Sequence, residues 1–88
     1  MKVENMTSSN GNKVANQFEI QSNEGVYFQS YSSIIAFKPL SGKIQIDRDK
    51  WDYSVTTGKY RNLFLGETKK ETERKIKNGE YELVNLNK

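Results

Sequence analysis

The 88-residue sequence contains neither cysteine nor histidine. Without cysteine there are no disulfides, no thiol nucleophile and no thiolate metal ligand. Without histidine the chain lacks the usual general base near neutral pH and the commonest metal ligand. A Ser-His-Asp triad cannot be built. No serine stands in a G-x-S-x-G turn, and neither Walker A nor G-x-G-x-x-G occurs. These absences point away from enzyme chemistry, and no cofactor or metal is expected. Long apolar runs are missing too. Nothing approaches the roughly 20 residues of a membrane span, and the opening MKVENMTSSNGNK lacks the apolar segment of a secretory signal. The expectation is a soluble, intracellular protein.

Hydrophobic residues are also scarce, at 34%. A single domain of this length buries a smaller share of its surface than a large one. Its core must lean on Phe18, Tyr27, Phe28, Phe37, Trp51, Tyr53, Tyr60, Phe64 and Tyr81. Homodimer formation is one way to add buried area.

Residues 1–13 are polar and rich in Asn, Ser and Gly, which suggests a flexible N-terminal arm ahead of one α+β domain over 14–88. Within the arm, residues 2–4 are a weak strand candidate. Residues 14–21 alternate over their second half, with Phe18 and Ile20 on one side, as a half-buried strand does. The SNEG run at 22–25 turns the chain into a returning strand over 26–30. IIAFK at 34–38 reads as a central strand, ended by Pro39, the only proline. KIQID at 43–47 is a fourth strand. Short turns between these runs imply an antiparallel meander.

Two helices follow. Ser54, Thr56 or Thr57 is placed to cap the first, and Gly66 to stop it. Tyr60, Leu63 and Phe64 share one face at i, i+3 and i+4, where they and Trp51 would plug the sheet. The second helix covers 68–78. Thr68 and Glu71 have capping-box spacing. Glu71–Lys75 and Glu73–Lys77 are spaced as i,i+4 ion pairs, and Gly79 marks the end. YELVNL at 81–86 is a last strand. The expected order is ββββααβ: a four-stranded antiparallel meander, two short helices on one face of the sheet and a C-terminal strand.

The run YFQSYSSIIAF, followed by WDYSVTTGKYRNLFLGETKKETERKIKNGEYELVNLN, resembles a family of small proteins encoded by bacteriophages of Gram-positive bacteria. The shared features are a W-D-Y-S-x-T-T-x-K-Y-R-x-x-F-L-G-E block, a helix with E-T-x-x-K-I and a G-x-Y-x-L-x-N-L-N ending. The likeness spans residues 27–87. It carries no catalytic residues over, because the family has no assigned activity. It implies a phage origin, action in the host cytoplasm, and a host protein or defence complex as partner.

Candidate contact residues come from the charge distribution. Residues 1–58 carry six basic and six acidic groups, a sum of zero, whereas residues 59–78 carry seven basic against three acidic, a sum of +4. The partner-binding candidates are therefore Lys59, Arg61, Lys69, Lys70, Arg74 and Lys75, with Tyr53 as an aromatic hot-spot type. Asp47, Asp49 and Asp52 have oxygen ligands for a divalent cation but lack the EF-hand pattern, and a turn is the simpler reading. The leading expectation is a non-enzymatic protein that binds and modulates or inhibits a host protein, with an anti-defence (including anti-CRISPR) role as one instance. The alternative is a small nucleic-acid-binding accessory protein that uses the basic helix 68–78. A virion component is a third reading.

Overall fold

The computed structural model describes residues 1–8 and 10–87. Ser9, inside the expected turn at 8–12, and Lys88 lie outside them. The chain forms β1 (Lys2–Thr7), β2 (Lys13–Ser22), β3 (Gly25–Ser30), β4 (Ser33–Pro39), β5 (Gln45–Asp47), α1 (Val55–Leu65), α2 (Lys69–Lys77) and β6 (Glu82–Val84). The fold is α+β: one six-stranded sheet in the order β1-β2-β3-β4-β5-β6, with two helices.

Three features correct the reading from sequence. The segment expected as an N-terminal arm supplies β1, paired antiparallel with β2 from Lys2↔Gln21 to Thr7↔Lys13. Asn5 and Met6 are drawn in by that pairing, Asn5 Nδ2 donating to the Val14 carbonyl at 3.0 Å and Met6 joining the core. The fourth expected strand is shorter than 43–47, since β5 covers only Gln45–Asp47, with Gln45 and Ile46 opposite Phe37 and Ala36 of β4. The last strand lies parallel to β5, Ile46 opposite Leu83. Parallel neighbours need a long crossover, and α1 with α2 provides it. The meander thus has five strands, and the sixth returns after the helices.

α1 lies on the sheet face that carries Phe28, whose ring is 5.6 Å from that of Phe64. The core gathers Met6, Phe28, Ile35, Ala36, Ile46, Tyr60, Phe64 and Tyr81. A β-bulge helps to fill it. Phe28 opposes Ala36 while Gln29 opposes Ile34, so Ile35 is the extra residue, fully buried in the core. Gly25 is dictated by space as well as by its φ of 148°, because a Cβ there would stand 2.2 Å from the Lys38 carbonyl oxygen. Lys38 also donates to the Phe64 carbonyl, satisfying one of the free acceptors at the end of α1.

The two sheet faces differ in charge. Directly opposed residues share a face. The row Val3–Ile20–Tyr27–Phe37 therefore lies on one face, and Glu4–Glu19–Phe28–Ala36 on the other, the helix side. Phe18 and Ile20 point away from the helices. On that face Tyr27 stacks on Phe37 with centroids 4.2 Å apart.

The chain end is clamped to the sheet. Asp47 accepts from the Lys50 amide at 2.9 Å and the Asp49 amide at 3.2 Å through one oxygen, and from the Leu86 amide at 2.8 Å through the other. Beyond the end of β5, the Asn87 side chain bonds both the amide and the carbonyl of Ile34, at 2.6 and 2.8 Å. Its carboxamide thereby takes the place of a neighbouring strand's peptide group on β4.

Candidate functional site

The stretch between β5 and α1 builds the most distinctive surface of the molecule. Ser54 has extended backbone and caps α1, its Oγ accepting from the Thr57 amide at 3.1 Å. The Thr57 hydroxyl meets Ser30 at 2.8 Å, which ties the start of α1 to the end of β3. The buried residues of α1 are Thr57, Gly58, Tyr60, Arg61 and Phe64, the spacing of one helical stripe.

Two of the sequence expectations change here. Leu63, expected in the core beside Tyr60 and Phe64, is 57% exposed. Arg61, expected on the open polar side as a partner contact, is 1% exposed. Its Nη1 donates to the Trp51 carbonyl at 2.6 Å and approaches Asp52 at 3.4 Å, while Nη2 donates to Asn62 at 2.9 Å. The guanidinium lies 5.1 Å from the Trp51 ring centroid, in cation–π range. Trp51 is half-buried against the core. Arg61 therefore holds the β5–α1 connection rather than facing a partner.

Asp52 links this arrangement to α2. One of its oxygens faces Arg61 and the other accepts from Lys69 Nζ at 2.7 Å. The hydrogen bond from Lys69 is the main reason the Asp52 carboxyl is held below its ordinary range, with Arg61 adding to it against a smaller burial effect. The same contact raises Lys69.

Over this frame runs an open groove of about 960 Å³, bounded by Thr7 and Ser8 at the end of β1, by residues 52–55, by α1 and by Lys69. Its exposed apolar side chains are Tyr53, Val55 and Leu63, with Val55 92% exposed. Lys59 and Lys69 stand among them.

The remaining candidates separate. Lys70 and Arg74 line a second hollow, on α2, with Glu71, Glu73, Lys77 and Asn78. Lys75 turns inward and meets Glu67 at 2.7 Å. Glu67 also accepts from Thr72 at 2.6 Å and from the Tyr81 hydroxyl at 2.8 Å. Burial is the largest influence on Glu67 and opposes its ionisation, but the bonds from Lys75, Thr72 and Tyr81 together hold its carboxyl below the ordinary range. Burial first, and then Glu67, push the Tyr81 hydroxyl up to about 12. This cluster joins α1, α2 and the approach to β6.

The expected i,i+4 pairs Glu71–Lys75 and Glu73–Lys77 are not among the ion pairs of the described residues. Lys75 is committed to Glu67, and Glu71 completes the capping box with Thr68. The oxygens of Asp47 are occupied by backbone amides. Among the described residues no group of three Asp or Glu is placed to hold a metal ion, and no helix is long and apolar enough to cross a membrane.

Sequence reasoning singled out Tyr53, Lys59 and Lys69 in the groove but missed Val55 and Leu63. Val55 follows the capping Ser54 as the first residue of α1, a position outside the buried stripe, and that was a usable signal.

No curated protein and no solved structure matches the chain. A family profile described as a family of unknown function, DUF8033, does match, over residues 1–80. That span takes in every element from β1 to the end of α2, and the chain belongs to this family of unknown function.

Proposed function

We propose that the chain is a non-enzymatic binding module that grips a partner protein in the groove over α1. One observation carries this reading. Tyr53, Val55 and Leu63 stay exposed together on a domain that is short of apolar residues for its own core. Apolar side chains gathered in a groove and rimmed by polar groups are typical of protein contact sites. Lys59 at the rim suits a partner surface with acidic residues around an apolar centre. Following the phage resemblance, the partner is a host protein, and the outcome is its modulation or inhibition, with a defence complex as one such target in the host cytoplasm.

A nucleic-acid contact through α2 has less support. Lys69 and Lys75 are engaged by Asp52 and Glu67. Glu71 and Glu73 stand among Lys70, Arg74 and Lys77 in the hollow that a phosphate backbone would enter.

The test is affinity capture from host lysate with the native chain and with Val55→Asp and Leu63→Lys. The expected result is a stoichiometric protein retained by the native chain and lost with both variants. A partner that both variants retain, or no stoichiometric partner, would contradict the reading.

A further inference from the structure

β1 is an outer strand of the sheet and, among the described residues, pairs only with β2. The outward backbone groups of such a strand form a template for another strand. Three side-chain observations indicate what that strand is. Glu4 lies directly opposite Glu19, a like-charge pair that is unfavourable on a sheet. Its cationic neighbour is Lys2 on the same strand, at 3.2 Å, with both side chains more than half exposed. On the helix-free face Val3, 58% exposed, ends the row that runs through Ile20, Tyr27 and Phe37. On the helix side Leu63 overhangs the same edge, lining a hollow with Glu4, Met6 and Thr7.

We infer that β1 pairs antiparallel with β1 of a second copy, about a twofold axis through Val3. In this register Lys2 faces Glu4 of the second copy, Val3 faces Val3, and Glu4 faces Lys2. Each Glu4–Glu19 pair gains a cation on its open side. The apolar row continues across the axis into its own copy, as an isologous contact requires. Neighbouring registers lack this fit. A slip of one residue turns one sheet over relative to the other, setting Val3 against Lys2 or Glu4. Centring the axis on Lys2 or on Glu4 opposes like charges at the axis itself. Among the registers that align the faces, the one centred on Val3 makes the short Lys-Val-Glu sequence complementary to itself. Leu63 of each copy then covers the added strand from the helix side. This inference rests on the charge and register of the sheet edge; Leu63 borders both that edge and the groove, and changes at Lys2 and Glu4 leave the lining of the groove untouched.

Sedimentation equilibrium of the purified full chain at low salt, from micromolar to millimolar, tests it. The expected result is a concentration-dependent dimer. Lys2→Glu or Glu4→Lys alone should weaken it about tenfold, because each change places like charges opposite one another twice per dimer. Lys2→Glu with Glu4→Lys in the same chain should restore it, and an equimolar mixture of the two single variants should form a heterodimer. Both positions are exposed, and circular dichroism checks that each variant folds. A chain that stays monomeric throughout would overturn the inference. So would a dimer equally strong in the native chain and both single variants.

Discussion

Arg61 donates to the backbone carbonyl of Trp51 at 2.6 Å while its guanidinium lies 5.1 Å from the centre of the Trp51 ring. The two residues are ten positions apart, and this double contact fixes the path of the chain from β5 into α1. It also sets the floor of the groove, since Asp52 and Tyr53 follow directly. Arg61→Lys keeps the charge but loses the planar fork and the stacking. The expected cost is about 2–4 kcal/mol, as for other losses from a buried charge network, measured by urea denaturation. A cost within the roughly 0.5 kcal/mol typical of surface changes would contradict the role assigned to Arg61.

Gln17 offers a change in the opposite direction. Its side chain is fully buried on β2, and neither its Oε1 nor its Nε2 has a hydrogen-bond partner. An unpaired buried amide costs about 1–3 kcal/mol. Gln17→Met keeps the length and removes the polar atoms, so it should stabilise the fold by about 1 kcal/mol. A higher midpoint at unchanged m-value in urea is the expected readout. A lower midpoint would show that the amide is paired in solution.

The cluster around Glu67 predicts an acid-sensitive fold. The Glu67 and Asp52 carboxyls are held below their ordinary range in the folded state. A lowered carboxylate contributes stability that is complete above its unfolded-state pKa and is lost as pH falls through the lowered folded value. Stability should therefore decline from just above the ordinary carboxylate range downward. Glu67→Gln should cost about 1–3 kcal/mol at neutral pH and flatten that decline. An equally steep acid limb in the variant would place the acid sensitivity elsewhere.

Tyr81 gives the matching test at high pH. Its folded-state pKa is raised from 10.0 to about 12. The neutral phenol is the form that bonds Glu67, so its contribution is complete below pH 10 and is lost as pH rises toward 12. The stability difference between the native chain and Tyr81→Phe should shrink across that window. A constant difference would exclude titration of Tyr81 as the cause.

Much of the fold was legible locally. Ser54, Gly66, the Thr68–Glu71 box and Gly79 announce the helix ends, and the structure uses Ser54 and Thr68 as caps, with Gly66 and Gly79 at positive φ. β1 was legible only as a weak candidate at residues 2–4, because its apolar residues Val3 and Met6 differ in parity and no alternation appears. Its place comes from pairing with β2. The parallel position of β6 is likewise a tertiary outcome, fixed in part by Asp47 reaching Leu86.

The candidate site was legible only in part. Leu63 completes an apolar triplet with Tyr60 and Phe64, yet the buried stripe takes Arg61 instead, because the Trp51 carbonyl, Asp52 and Asn62 accept from its two Nη groups, while its Nε stays buried without a partner. Residue type alone places arginine in solvent and leucine in the core, and here the two exchange roles. That exchange leaves Leu63 on the surface, where it bounds the groove.

Quantitative binding of whatever protein the affinity capture retains tests the proposed groove most directly. Calorimetry would compare the native chain with Leu63→Lys and with the double change Lys70→Gln and Arg74→Gln. The expected outcome is roughly 30-fold or greater weakening for Leu63→Lys, the size of a hot-spot loss, and only a few-fold change for the α2 pair. Native affinity in Leu63→Lys together with loss of binding in the α2 double variant would contradict the groove and move the contact to α2.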